Sequence, residues 1–448
     1  MSRDKSINDF SKIIDNGPIT SQQILVVSLC FIFNMLDGFD ITAMTVVGRL
    51  VMVDLELTPD RLGWIFSTAL AGMMLGAMAL APVADIIGRR ALIILSLLIV
   101  GVSVILTSRA DSLAYFLILR FISGMGAGAL LASQASLAAE YSPNKYRALS
   151  VAIVTAGYPT GAMMTSVVAD YILPFYDWRA MFLFGGIITI CMVAVAWYMI
   201  PESLKYLFEK RPADALNKIN NILFKLEVPA LNKLPEKEQE EVGNSSFISK
   251  FFSNMEMLLS PEFRRLSLLL WTAFFCAFGT LYFLMSWIPV LIENSNYSAA
   301  VGRDAFFMFN LGGIIGIYLI GILSVKWKLT NLILYLSLAS AISMLVFAVT
   351  FTIVPDHLFL IIILILMIGI LQQSAFTGLY GVAAKAYKTE IRSTGVGWAI
   401  GLGRSGAVAG PLVAGYLIAA DFGISANFIF FAIPMIICGL IAYKLDID

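Results

Sequence analysis

The amino-acid sequence predicts an all-α membrane protein: twelve transmembrane helices in two six-helix pseudo-repeat halves, with both termini cytosolic. Three observations predict it. The 448-residue chain is 59% hydrophobic and only 13% charged, whereas soluble domains carry about 25% charged residues. Twelve apolar runs are each long enough to cross about 30 Å of hydrocarbon, which takes about 20 helical residues. One long polar stretch divides those runs six and six.

The first six runs lie near residues 22–47, 62–82, 91–108, 113–139, 148–170 and 180–200. The second six lie near 266–290, 304–324, 330–353, 358–380, 394–419 and 422–443. The organisation is therefore an N-terminal half over 1–201, a linker over 202–264 and a C-terminal half over 265–448. The linker carries the charged run Lys233 to Glu241 and reads as a cytosolic segment with some amphipathic helix. Orientation follows from the basic residues. With the N-terminus inside, the outer segments hold only Arg49, Arg61, Arg109, Arg179 and Arg303 of the 30 Lys and Arg, as the positive-inside rule requires.

A weak repeat supports two related halves. Gly76 to Arg90 and Gly316 to Lys328 occupy corresponding connections, and Arg147 to Val151 corresponds to Arg392 to Val396. Such halves place a substrate site near the midplane between them. The net formal charge of zero gives no case for nucleic-acid binding. Cys30, Cys191, Cys276 and Cys438 all lie in apolar runs and read as small hydrophobes. The first twenty residues are polar, so no cleavable signal peptide is expected.

Asp37-Gly38-Phe39-Asp40 places two carboxylates in the first span. An ionised acid in hydrocarbon costs several kcal/mol, so both must face a cavity or a partner. Three residues apart on a helix, they share a face, and Asn34 extends it. Asp37 lies roughly 22 Å from the inner surface at 1.5 Å per residue, and Arg120 in span four roughly 10 Å from the outer one. In a core of about 30 Å these depths coincide. Asp37, Asp40 and Arg120 thus form a candidate proton-coupling set; a structural ion pair is the alternative.

Arg404, roughly 15 Å into span eleven, has no acid in the C-terminal spans to pair with. A guanidinium of that kind suits a substrate carboxylate; alternatively it reaches across to Asp37 or Asp40. Further substrate-binding candidates are Asn34, Gln134, Tyr158, Tyr282, Asn310, Gln372, Gln373 and Trp398, polar or amphipathic side chains at membrane depth. Each of these could equally serve helix packing. Gly124 and Gly128 read as packing residues. His357 lies in an outer connection, so no histidine relay within the bundle is expected. The sequence contains no nucleophile–base set, metal-ligand spacing or phosphate loop. An enzyme is not expected, nor is a cofactor or a metal.

The motifs resemble those of major facilitator superfamily transporters, within them the aromatic acid:proton symporter family of 4-hydroxybenzoate and protocatechuate permeases. The resemblance rests on Asp37 to Asp40, on Ala84 to Arg90, on Arg120 to Gly128, on Glu140 to Arg147, on Pro201-Glu202-Ser203 and on Gly395 to Gly406. It implies a gating loop of Asp85, Gly88, Arg89, Arg90, Glu140 and Arg147. Departures occur at Ala81 and Ile86, and in the second copy Val325 and Lys328 replace the expected acid and glycine. The resemblance implies proton-coupled uptake of a small organic acid, an aromatic carboxylate, by a monomer in a bacterial inner membrane. The alternatives are a carrier of other chemistry, such as sugar uptake or drug efflux, and a transport-fold sensor.

Overall fold

A computed structural model of the protein describes residues 17–234, 253, 255–295, 297–388 and 391–445, with Ala81 and Ser393 described by backbone only. Among the described residues, twelve helices are long and apolar enough to cross a membrane. The first six are Ser21–Asp54, Pro59–Leu80, Arg89–Thr107, Leu113–Glu140, Asn144–Ile172 and Arg179–Met199. The second six are Arg264–Glu293, Ala299–Leu323, Leu329–Ile353, Leu358–Ala386, Thr394–Ala419 and Ile424–Lys444. We number them as spans one to twelve.

Local chemistry sets the ends. Thr20 caps span one in a capping box with Gln23, and Pro59 opens span two behind Thr58. Several helices overrun their apolar stretch. Span one continues to Asp54 and span seven to Glu293, while span eight opens at Ala299. Arg49 and Arg303, expected in connections, are therefore helical. Membrane thickness limits the apolar run, not the helix that carries it.

Small residues allow the closest packing. A Cβ on Gly124 or Gly128 would overlap the carbonyl oxygens of Ala69 or Met73 in span two, which is the packing role expected of them. The linker contributes two short helices, Leu204–Lys210 and Ala215–Lys225. Ile219, Ile222 and Leu223 of the second are buried with Leu207 and Phe208 of the first and with Val26 and Ile200 from the span ends. Lys218, Phe224 and Lys225 are exposed, so this is the amphipathic helix expected there. The acidic part of the linker, residues 235–241, lies outside the described residues.

On the side opposite the linker, the first six spans are stitched to the last six. Arg49 Nη1 donates to the Glu293 carbonyl at 2.6 Å, and Ser166 Oγ to the Arg303 carbonyl at 3.1 Å. Arg303 Nε meets Asp170 Oδ1 at 2.6 Å. Ser67 Oγ donates to the Val408 carbonyl at 2.7 Å, and Phe66 packs edge-on against Trp287 with ring centroids 5.5 Å apart.

Candidate transport site

Span one carries the charges inward. Asp37 and Asp40 are 1% and 2% exposed, deep in the bundle. Slim Gly38 lets span five approach: a Cβ there would overlap the Tyr158 carbonyl. Arg120 of span four is equally buried, and its Nη1 lies 3.2 Å from Asp40 Oδ1 and 3.2 Å from the Asp40 carbonyl. Its guanidinium carbon also sits 4.6 Å from the centre of the Phe182 ring. Of the two acids on that face, Asp40 is the one that pairs with Arg120, one helical turn beyond Asp37.

Asp37 is the unpaired acid. Neither of its carboxylate oxygens has a hydrogen-bond partner among the described residues. Arg404 of span eleven is near enough for its charge to act on Asp37, but the two form no ion pair among the described residues. The contact that Arg404 makes is with an aromatic face, its guanidinium carbon 5.8 Å from the centre of the Phe278 ring. Phe278 in turn stacks on Tyr282, with centroids 6.2 Å apart, and meets Phe376 edge-on at 4.7 Å. Tyr380 stands edge-on to Phe376 at 5.4 Å. Tyr158, Tyr282, Arg120, Thr45 and Ser286 line one central cavity, and the Tyr158 hydroxyl there is buried without a partner among the described residues. This region gathers a guanidinium, several aromatic rings and a buried carboxyl group at the centre of the bundle.

The other candidates divide. Asn34 and Gln134 are fully buried in the seam of spans one, four and five. Asn34 Nδ2 donates to the Val154 carbonyl at 2.6 Å, and Gln134 Nε2 to Asn34 Oδ1 at 2.9 Å. Asn310 donates to the Phe306 carbonyl of its own helix at 2.9 Å. Gln372 Nε2 donates to the Ala277 carbonyl at 3.2 Å, and its Oε1 accepts from Ser340 at 3.2 Å. Asn34, Gln134 and Gln372 thus tie neighbouring helices together and Asn310 bonds within its own, while Gln134 Oε1 stays buried without a partner among the described residues. Gln373 is half-buried beside Gly313 of span eight. Trp398 stacks on Trp271 with centroids 6.3 Å apart.

The loop residues build a clasp at the linker side of the first six spans. Gly88 has φ +98°, and the Glu202 carboxylate fills the place where its Cβ would stand. Glu202 Oε1 accepts from the backbone N–H of Arg90 at 3.0 Å and of Ser203 at 2.9 Å. Arg89 pairs with Glu140, which accepts from Ser203 Oγ at 2.6 Å. Arg147 Nε donates to the Ala139 carbonyl at 3.1 Å and ties the turn between spans four and five. Asp85, expected inside this network, is exposed and has no ion pair among the described residues. Glu202 and Ser203, quoted in the sequence only as a motif, take its place. Val325 is 83% exposed and, with exposed Lys328, forms no matching clasp after span eight among the described residues. His357 is exposed at the start of span ten.

A family model described as the Major Facilitator Superfamily matches residues 28–355 and 338–447. The chain belongs to that superfamily and is a multi-pass integral membrane transporter. It is 28% identical over 442 residues to the benzoate transport protein of Acinetobacter baylyi, covering 98% of this chain and 92% of that protein. It is also 28% identical over 436 residues to a 4-hydroxybenzoate transporter of the same organism, covering 96% and 92%. Among solved structures, the xylose transporter XylE from E. coli in a partially occluded inward open conformation superposes with TM-score 0.74 at 15% identity, covering 95% of this chain and 98% of that one. At that identity the match speaks to the fold.

Proposed function

We propose that this protein takes up an aromatic carboxylate together with a proton, by alternating access between its two six-helix halves. The carrying observation is Arg404: a midspan guanidinium held against an aromatic face, with no hydrogen bond or ion pair among the described residues. A half-buried guanidinium without a resident partner favours a bidentate carboxylate, and the Phe278–Tyr282–Phe376 cluster offers an edge and a face to a ring. Asp37 is the proton carrier in this reading, while the Asp40–Arg120 pair stays closed and holds spans one and four in register. The relatives named as benzoate and 4-hydroxybenzoate transporters support the substrate class. The basic residues of the linker side support a cytosolic linker, both termini inside and a bacterial inner-membrane location. In this reading the transporter works as a monomer, without a cofactor and without catalytic chemistry.

The test is uptake into proteoliposomes under an imposed pH gradient, with benzoates, aliphatic acids and sugars as competitors. Uptake should require the inward proton gradient and be competed only by carboxylates. Arg404→Gln and Arg404→Lys should abolish uptake while the protein stays folded in the membrane, since a lysine ammonium cannot reproduce the planar fork. Sugar competition, gradient-independent flux, or wild-type uptake by Arg404→Gln would overturn the proposal.

A further inference from the structure

A second concavity, of about 230 Å³, lies outside the transport site, where the end of span six meets the linker helix Ala215–Lys225. Three cations line it: Arg90 from the first turn of span three, and Lys218 and Lys225 from the linker helix. Asn221 also lines it. With Lys218 and Lys225 it forms a row three and four residues apart along one helix face. The opposite face, with Ile219 and Leu223, is buried against the span ends.

Glu202 is the one carboxylate in the lining, and it is engaged by the backbone N–H groups of Arg90 and Ser203. The crevice therefore carries two net positive charges. Lys218 and Lys225 enter no ion pair among the described residues. Arg90 is held in place, its Nη2 donating to the Trp197 carbonyl and its guanidinium carbon 5.7 Å from the Trp197 ring centre. Its Nε is buried without a partner among the described residues.

The rim is what distinguishes the occupant. Tyr198 of the lining is 83% exposed, and Trp197, which packs on Arg90, is 58% exposed. Large bare aromatics at the end of a spanning helix mark the membrane interface. A soluble phosphate has no use for such a rim, whereas a phospholipid sets its phosphate among cations and its glycerol and chains along aromatic rings. We propose that this crevice binds the headgroup phosphate of an anionic phospholipid from the leaflet on the linker side, with Arg90, Lys218 and Lys225 as the phosphate ligands. Basic pockets at the cytoplasmic ends of spanning helices suit such headgroups.

Native mass spectrometry of the delipidated full-length protein, titrated with phosphatidylglycerol and with phosphatidylcholine, tests this. One phosphatidylglycerol should bind in preference to phosphatidylcholine. Lys218→Gln/Lys225→Gln should weaken that binding by roughly 25-fold, about fivefold per lysine charge. Both lysines are exposed, so the melting temperature of the lipid-free protein should stay unchanged. Lys326→Gln/Lys328→Gln, which removes the same charge from the loop after span eight, should leave the binding intact. Equal affinity for the two lipids, an unaffected Lys218/Lys225 variant, or equal weakening by the control pair would overturn the proposal. Displacement of the lipid by inorganic phosphate at matching concentration would overturn it too, by assigning the site to a soluble anion.

Discussion

The two acids of span one should respond in opposite ways to replacement by their amides. Asp40 lies 3.2 Å from Arg120, whose side chain is 1% exposed. Asp40→Asn leaves that guanidinium without a counter-charge in a dry seam, with only neutral acceptors and an aromatic ring as company. Breaking a buried pair by removing one partner costs about 3–5 kcal/mol. Asp37 has no hydrogen-bond or ion-pair partner to lose among the described residues. Asp37→Asn keeps the shape and removes a charge whose burial, unpaired, costs several kcal/mol. Its effect on stability should therefore run from neutral to stabilising. Thermal unfolding of the two purified variants in detergent reads this difference directly. Transport then separates the roles: Asp37→Asn should lose accumulation driven by a pH gradient and retain substrate exchange, because exchange needs no net proton movement. Equal destabilisation by the two variants would refute the assignment of the pair, and gradient-driven accumulation by Asp37→Asn would refute its role as proton carrier.

Two further outcomes follow from the packing. Arg303→Ala removes the Asp170 contact from the seal opposite the linker. A partly exposed pair is worth about 0.5–1 kcal/mol, so the closed state should lose about two- to fivefold in population. A cysteine placed at Thr45 in the central cavity should react correspondingly faster with an impermeant maleimide added from that side; an unchanged rate would show that the pair does not hold the seal. Gln372→Leu should lower stability by about 1–3 kcal/mol, since the Ala277 carbonyl and the Ser340 hydroxyl lose their partner. Its apparent substrate affinity should stay at the wild-type value, and a large rise in KM with stability intact would place Gln372 in the substrate site instead.

The twelve spans were legible because hydrocarbon imposes a length on every helix that crosses it, and apolar runs report that length. Their ends were not: Arg49 and Arg303 sit on helices that continue into the polar layer, where composition no longer constrains the chain. The buried charges were legible because each costs too much to be incidental. Their pairing was harder, since a depth counted over some fifteen residues cannot separate Asp37 from Asp40, about 4.5 Å further on. The amides were illegible for a related reason. In helices apolar on every side, no polar face tells whether Gln372 or Asn310 points to the cavity or to a neighbouring backbone. Phe278 and Tyr380 went unnoticed because an aromatic in an apolar span carries no signal of its own, and only the three-dimensional approach of Arg404 distinguishes Phe278.

In the proposed mechanism, coupling rests on charge. Asp40 and Arg120 cancel, which leaves Arg404 and Asp37 as the charges that matter. With Asp37 ionised the empty site is neutral, and an incoming carboxylate makes it negative in a poorly solvated interior. With Asp37 protonated the empty site is positive, and the same carboxylate makes it neutral. Two like charges about 6–10 Å apart repel by about 2–3 kcal/mol at an effective dielectric constant of about 20. Substrate affinity should then differ by roughly 30- to 150-fold between the two protonation states. Linkage is reciprocal, so bound substrate raises proton affinity by the same factor. Proton and anion then enter together because each makes room electrostatically for the other, without a direct bond between them. Asp37→Asn, fixed in the neutral form, should bind substrate tightly at every pH at which the substrate is an anion. The wild type should lose affinity as pH rises and Asp37 gives up its proton.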